Sequence, residues 1–293
     1  MLITVLSGPD HDKNYGDCFI IDDGNKLYIY DCGSEELANN VIYYMNQKGY
    51  SKAIAILSHN DSDHFDGIKY LIDKGKISVV YTVCLLKYVD DIIKLCDGRK
   101  TKNSISKQIL DRYDNISQLG GYLIDIYPLN KKLTKNISIV GPDKNYMLEA
   151  IAHELNSLEG NTIDNETVVN ATSVQVEITF DDNRKMLLCG DCSFEAIENK
   201  IDDYNIIQLP HHGKERQAKL IFEAVTDINN KMFIVSDNTG PTNGGSDGRH
   251  FIGKNVKNTK SSGTFKIDET TLKSRTDYVP GKSLGIWNGI LSR

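Results

Sequence analysis

The stretch Ser58-His59-Asn60-Asp61-Ser62-Asp63-His64 decides how this chain is read. From His59 to His64, four side chains able to ligate a metal stand within six residues, alternating and then adjacent. They follow residues 53–57, AIAIL, a short continuous apolar run typical of a strand buried on both faces. The carboxyl end of such a strand is where α/β folds place ligand sites. Imidazole and carboxylate together suit Zn²⁺, Mn²⁺ or iron. The plainer alternative is a polar turn whose aspartates cap a helix starting near Phe65. That would account for Asp61 or Ser62 alone, but packing requires no such density of ligands.

Upstream, residues 18–22 and 26–31 read as strands split by the hairpin signal Asp23-Gly24-Asn25. Residues 35–48 place Leu37, Val41, Ile42 and Met45 at helical spacing. The opening, MLITVLSGPDHDKNYGD, lacks the basic region and cleavage site of a signal peptide and reads as a strand followed by a loop, so a cytoplasmic location is the default expectation. Downstream, residues 95–166 are less regular, with helices expected near 105–119 and 146–158 and strands near 122–127 and 137–140. Order returns with strands at 173–180 and 185–189, joined by Asp181-Asp182-Asn183, and at 206–209 and 232–235. Residues 237–262 are too polar and Gly-rich for a core, and a loop of that length is usually functional. Strands with intervening helices and clear hairpins predict mixed sheets with helices outside. No repeat, linker or shift in composition divides the chain, so residues 1–293 are expected as one domain with a variable helical insertion around 95–165.

Composition sets wider bounds. With 40% hydrophobic and 25% charged residues the chain is ordinary globular protein, and no apolar run approaches the length of a membrane span. A formal charge of −6 argues against a dedicated nucleic-acid wrapper, while leaving room for a local basic channel. Of the six cysteines only Cys189 and Cys192 have C-x-x-C spacing, without the second pair of a zinc ribbon, so buried free thiols are expected. Lys254, Lys257, Lys260, Lys266 and Lys273 read either as a basic rim or as solvated surface, and His11 as an exposed loop residue.

The central stretch resembles the H-x-H-x-D-H signature of metallo-β-lactamase-fold hydrolases, with Asp61 where most members carry the second histidine. Gly16-Asp17 and Asp31-x-Gly33 resemble the family's opening hairpin, and Leu187-Leu188-Cys189-Gly190-Asp191 its strand ending in Gly-Asp. Leu209-Pro210-His211-His212-Gly213 resembles the Pro-His-His-Gly motif of the branch that includes the nuclease-like domain of the DNA-uptake protein ComEC. Asn170-x-x-Ser173-Val174 and Ile234-Val235-Ser236 fit the same branch. Each motif is weak alone; in the family's order, over residues 1 to about 240, they are strong. The resemblance implies an α/β αββα sandwich, two mixed β-sheets flanked by helices.

It also implies two divalent metal ions. His59 and Asp61 would hold one, Asp63 and His64 the other, with Asp191 bridging and His211 or His212 completing the second site. His153 is the one histidine between the first motif and Gly-Asp, where the family often supplies a further ligand, although an exposed or packed residue is the plainer reading; Asn170 could line that side instead. As a ligand, carboxylate in place of imidazole at Asp61 makes the first site harder and shifts its preference from Zn²⁺ alone toward Mn²⁺ or iron; Asp61 could instead position a water beside the metal. Such a centre activates water, with Asp63 orienting it and the non-ligating histidine, Lys214 or His250 protonating the leaving group. The leading reading is therefore a metal-dependent phosphodiesterase acting on a small-molecule or single-stranded nucleic-acid substrate. The alternatives are a carbon ester or thioester hydrolase of the same fold, or a non-catalytic metal-binding component of a bacterial defence system with partner proteins. The richness in Asn, Lys, Ile and Asp suggests a microbial source, and many relatives of this fold are homodimers.

Overall fold

The computed structural model describes residues 1–271 except 11, 130, 157–161, 238–239 and 242–243, so His11 and Lys273 lie outside the described residues. One seven-stranded sheet runs, edge to edge, through β16 (Phe265–Ile267), β1 (Leu2–Val5), β2 (Cys18–Asp22), β3 (Leu27–Cys32), β4 (Ala53–Ile56), β5 (Ile77–Thr82) and β6 (Leu123–Asp125). The strands from β16 to β3 pair antiparallel, and those from β3 to β6 pair parallel. A second seven-stranded sheet runs through β15 (Val256–Asn258), β14 (Met232–Val235), β13 (Ile206–Gln208), β12 (Lys185–Leu188), β11 (Gln175–Thr179), β8 (Ile137–Gly141) and β7 (Lys131–Lys132). It too is mixed: β15 to β12 are parallel, and β12 to β7 antiparallel.

The strand sequences explain the layering. In β2 and β3 every residue is buried, and alternate side chains enter different cores. Phe19, Ile21, Tyr28 and Tyr30 join Ile139, Val176, Met186, Leu188 and Ile234 of the other sheet in the central core. Ile20, Leu27 and Ile29 face outward onto Leu37, Val41 and Met45 of α1 (Glu35–Lys48) and Phe65, Ile68 and Leu71 of α2 (Ser62–Asp73). Across the sandwich, Leu187, Ile207, Phe233 and Val235 face outward onto Ala218 and Ile221 of a helix spanning Glu215–Ala224. Continuous apolar strands are what a sheet covered on both faces requires. The result is the αββα order implied by the resemblance.

The segment around 95–165 does not form a separate lobe. Its helices α4 (Lys102–Ser117) and α5 (Lys144–Asn156) share a satellite core with α3 (Val89–Leu95), which comes just before it. Between them, β6 extends the first sheet while β7 and β8 extend the second, so this stretch carries the chain from one sheet to the other. The small hairpin β9 (Thr162–Ile163) and β10 (Glu166–Thr167) then leads into the one-turn helix α6 (Val168–Ala171). Residues 237–262 also hold more order than their composition predicts, since β15 and the short helix Thr259–Ser262 fall within them. All six cysteines are free thiols. No helix among the described residues is long and apolar enough to cross a membrane.

The β2–β3 hairpin is anchored by Asp22, whose carboxylate accepts from the hydroxyls of Tyr44 and Tyr50, each at 2.7 Å, and from the Gly24 N–H at 2.9 Å. Burial alone would raise this carboxyl's pKa, but the three donors and Lys48 hold it below the usual range. A depressed folded-state pKa adds stability that is complete above the unfolded-state pKa and is lost as pH falls through the folded value. Asp22→Ala is therefore expected to cost about 2 kcal/mol in urea unfolding at pH 7. The gap between the variant and the parent chain should narrow as the pH drops below about 4. A gap that widened toward acid would contradict the assignment.

Candidate metal centre

The loops that carry the expected ligands leave the carboxyl ends of neighbouring strands. β4 runs into Ser58 and His59, β12 into Gly190 and Asp191, β13 into the turn α7 (Pro210–Gly213), and β14 into Ser236 and Asp237. Between α7 and β14 lies α8 (Glu215–Ala224), and α9 (Thr259–Ser262) follows β15. Two hydrogen bonds tie the sheets together beside the site, from the Tyr30 hydroxyl to the Val174 carbonyl at 2.7 Å and from the Val174 N–H to the Ser58 carbonyl at 3.0 Å.

Four imidazoles converge here, each with Nδ1 held from behind. Nδ1 of His64 lies 2.9 Å from the buried Asp31 carboxylate, whose other oxygen accepts the Ser58 N–H at 2.7 Å. Nδ1 of His212 lies 3.1 Å from both the Asp17 carboxylate and the Ser236 carbonyl. Nδ1 of His211 lies 2.5 Å from the buried Glu166 carboxylate. Nδ1 of His59 sits between the hydroxyls of Ser58 and Ser173, at 2.9 and 3.2 Å. A carbonyl or carboxylate partner fixes a proton on Nδ1 and turns the Nε2 lone pair inward, as in metal-ligating histidines.

Inside this ring stand Asp61, Asp63 and Asp191. Asp191 Oδ1 lies 3.3 Å from His64 Nε2, while its Oδ2 lies 3.7 Å from His211 Nε2 and 4.0 Å from His59 Nε2. His59 Nε2 also faces Asp61 Oδ2 at 3.5 Å, and His212 Nε2 faces Asp63 Oδ2 at 3.0 Å. The donors thus divide about Asp191 into His59, Asp61 and His211 on one side and His64, Asp63 and His212 on the other. Both histidines of the pair point into the site. Among the described residues, His59 Nε2, His64 Nε2 and Asp191 Oδ1 are buried without a hydrogen-bond partner. Buried polar atoms are nearly always satisfied, so these three are free to meet a metal ion. The triads His59-His64-Asp191 and Asp63-His64-His212 each bring three ligand atoms within 4.8 Å of one another. A mixed set of imidazole nitrogens and carboxylate oxygens fits Zn²⁺, Mn²⁺ or iron and is less suited to Ca²⁺ or Mg²⁺, which favour oxygen alone.

Local structure explains how the loops hold this shape. Asp61 is the N-cap residue of α2, yet its side chain makes no capping hydrogen bond, leaving the carboxylate to the site. Gly16 and Gly33 press against the Asp63 carbonyl, where an added Cβ on either would lie 1.8 or 2.1 Å from that oxygen. Their contact lets the Asp17 N–H donate to the same carbonyl at 2.9 Å, locking Asp63 in place. His211 and His212 both adopt φ near +51°, a left-handed backbone that strains non-glycine residues and recurs at functional sites.

The electrostatics follow from crowding. Burial alone would raise the Asp191 carboxyl, but His64, His211 and His212 hold it well below the ordinary range. Burial would lower His64 and His212, yet both are held well above the usual imidazole value, His64 chiefly by Asp191 and Asp31, His212 chiefly by Asp17 and Asp191. Asp237, which accepts from the N–H groups of Tyr15 and Gly16, is pushed up to about 6 by burial, against the pull of His212 and those two donors.

Other expected residues divide. Asn170 is buried beside the centre, its amide donating to Asp191 Oδ2 at 3.4 Å. His153 lies on the exposed side of α5, outside the metal-binding triads, because that helix turns its apolar face to the satellite core. His211 is the histidine found on the Asp191 Oδ2 side. His250 is also outside the triads, its Nε2 paired with the Gly213 carbonyl at 3.2 Å and its ring 4.1 Å from that of Phe251. Lys214 is engaged by Glu166 at 2.9 Å. Lys254 and Lys257 lie over the rings of Phe222 and Phe265. The supporting roles of Asp17, Asp31, Glu166, Ser173 and Asp237 were not anticipated. Asp17 and Asp31 belong to motifs visible in the sequence, whereas Glu166 and Asp237 carry no such signal.

Two mixed sheets face to face, helices on both outer faces and a histidine–aspartate centre at the strand ends make this a metallo-β-lactamase fold. The chain is similar to Igni18, a metallo hydrolase from the hyperthermophilic archaeon Ignicoccus hospitalis, at 13% identity over 92% of this chain and 99% of that one, with a TM-score of 0.49. It is similar to the metallo-β-lactamase-fold protein YhfI from Bacillus subtilis at 13% identity over 91% and 99%, with a TM-score of 0.47. Human tRNase Z, short form, is similar at 12% identity over 83% and 87%, with a TM-score of 0.38. No family model and no curated protein sequence matches the chain. Neither activity nor substrate follows from likenesses this distant, and the fold stands on the chain's own sheet order and site.

Proposed function

We propose that the chain is a metal-dependent hydrolase acting on phosphodiesters through two divalent ions. The observation that carries this reading is the division of donors about Asp191, whose two oxygens face different histidines, at 3.3 Å on one side and at 3.7 and 4.0 Å on the other. When bound, two such ions supply Lewis acidity and make water a nucleophile at neutral pH. The chain's own residues do the rest. Asp31, Asp17 and Glu166 keep protons on the Nδ1 atoms of His64, His212 and His211, so that each Nε2 stays available. Asp63 is the partly exposed carboxylate at the mouth, where Asn14 approaches its Oδ2 at 3.5 Å, and it is placed to orient a water. The choice of phosphodiester rests on the resemblance of 209–213 to the Pro-His-His-Gly branch.

The test is to load the purified chain with Mn²⁺ or Zn²⁺, measure bound metal by mass spectrometry, and assay bis(4-nitrophenyl) phosphate beside 4-nitrophenyl acetate and a thioester. About two ions per chain with phosphodiester turnover is expected. Turnover of the ester or thioester alone would replace the substrate assignment, and failure to bind metal under any loading would end the catalytic reading.

A further inference from the structure

Three of the four imidazoles hold Nδ1 against a carboxylate, that of Asp31, Asp17 or Glu166, whereas His59 meets only the hydroxyls of Ser58 and Ser173. A hydroxyl can donate or accept, so it does not by itself decide which ring nitrogen carries the proton. We propose that one buried water behind His59, held by Ser58 and Tyr113, completes the setting of this ring, and that Tyr113 is a positioning residue for the metal on the His59 side. That metal belongs to the preceding reading; the water site rests on the hydroxyls and the cavity they share.

Each hydroxyl has one proton to give. Ser173 Oγ gives its own to the Asn170 carbonyl at 2.7 Å and accepts the Asp191 N–H at 3.3 Å. Toward His59 Nδ1, at 3.2 Å, it can then only accept. His59 therefore carries its hydrogen on Nδ1 and turns the Nε2 lone pair toward Asp61 and Asp191. Ser58 Oγ, 2.9 Å from the same Nδ1, meets an N–H and does not donate there. Its other neighbour, His64 Nδ1 at 3.5 Å, gives its hydrogen to Asp31 at 2.9 Å. The Ser58 hydroxyl thus keeps a hydrogen for which neither ring offers an acceptor.

Ser58 and His59 line a narrow cavity of about 20 Å³ together with Tyr113, Thr172 and apolar side chains. A buried water needs about 10–15 Å³ and two to four polar partners, so the space admits one water and no substrate group. The Tyr113 hydroxyl is buried without a hydrogen-bond partner. Burial pushes it well above the usual phenol range, so it keeps its proton and serves as a donor. Thr172 Oγ1 gives its hydrogen to the Val168 carbonyl at 2.9 Å and has lone pairs to spare. A water here accepts from Ser58 and Tyr113 and donates to Thr172. The backbone fixes the tyrosine for this task. α4 leaves helical angles at Tyr113, φ −121° and ψ 26°, and the Arg112 carbonyl just before it accepts the Asn60 side-chain N–H at 2.8 Å. The kink is thereby tied to the loop between His59 and Asp61.

A high-resolution crystal structure of the metal-free protein should show a water roughly 2.7–2.8 Å from both Tyr113 Oη and Ser58 Oγ. Nitrogen-15 NMR of the same protein should find the His59 hydrogen on Nδ1. Tyr113→Phe keeps the ring and removes one hydrogen bond. In Mn²⁺ titrations it should weaken one of two sites about two- to tenfold and leave the other within about twofold, a split that general loosening would not give. Ser58→Ala should weaken the same site, and adding Tyr113→Phe to it should cost little more, because both act through one water. This pattern without any phosphodiester turnover would uphold the positioning role and sink the reaction assignment instead. No water between the two hydroxyls, a His59 hydrogen on Nε2, or additive losses shared by both metal sites would each overturn the proposal.

Discussion

Asp191→Ala is expected to lower phosphodiester turnover by at least about a thousandfold, equivalent to about 4 kcal/mol of transition-state stabilisation. The size follows from position. Asp191 is the one carboxylate whose oxygens face both groups of histidines, with His64 Nε2 at 3.3 Å from Oδ1 and His211 Nε2 at 3.7 Å from Oδ2. In the two-ion assignment alanine would remove a ligand from each metal at once, and it leaves raised-pKa imidazoles such as His64 without their main counter-charge. Bound metal should therefore fall together with turnover. Asp191→Asn separates these effects, since its single oxygen can serve one side but not both; about one ion per chain is expected, with turnover still severely reduced. Mass-spectrometric metal content, steady-state kinetics and a circular dichroism check of folding would decide. A variant that kept two ions and more than a tenth of the parent activity would remove Asp191 from the bridging role.

How far this site was legible in the sequence depends on how each residue is held. His59, Asp61, Asp63 and His64 lie on one loop and the first turn of α2, so their clustering could be read from spacing alone. Asp191, His211 and His212 come from loops more than a hundred residues away, and only the resemblance joined them to the first group. The left-handed angles at His211 and His212, near +51°, have no signature in residue type, which is why the choice between them stayed open. Glu166 was invisible for a further reason. It sits in a two-residue strand whose sequence is polar and irregular, and its importance arises from the fold bringing it 2.5 Å from a histidine 45 residues later.

The fold divides in the same way. Strands buried on both faces, such as β4, β12 and β14, announce themselves as short apolar runs, and α1 appears in full because its apolar spacing is flanked by a Ser34 cap and a left-handed Gly49. β15 and β16 were not assigned, since three residues such as Val-Lys-Asn or Phe-Lys-Ile show no period and owe their conformation to the sheet edges they pair with. β5, Ile-Ser-Val-Val-Tyr-Thr, alternates irregularly because one side meets α2 and the other the central core. Edge and crossover elements take their structure from tertiary context, which local sequence does not encode.

Glu166→Gln is expected to lower kcat/KM by about ten- to a hundredfold while leaving the fold intact. Glu166 touches no reacting atom in this assignment; it acts through His211. Its Oε2 lies 2.5 Å from His211 Nδ1, and its Oε1 accepts from Lys214 at 2.9 Å and from Gln217 at 3.2 Å. The carboxylate thus fixes the orientation of the His211 ring and leaves Nε2 turned toward the centre. Glutamine offers one acceptor oxygen for three donors, so either His211 or Lys214 loses its partner, and a charge-assisted hydrogen bond of about 1.5–3 kcal/mol goes with it. If His211 serves the Asp191 Oδ2 side, the loss should fall unevenly on the two metals. Titration with Mn²⁺ should show one site weakened about ten- to a hundredfold and the other little changed, a split that a general loosening of structure would not produce. Equal weakening of both sites, with a matching fall in the unfolding midpoint, would make Glu166 a structural residue only. Unaltered kinetics and metal affinity would remove His211 from the centre.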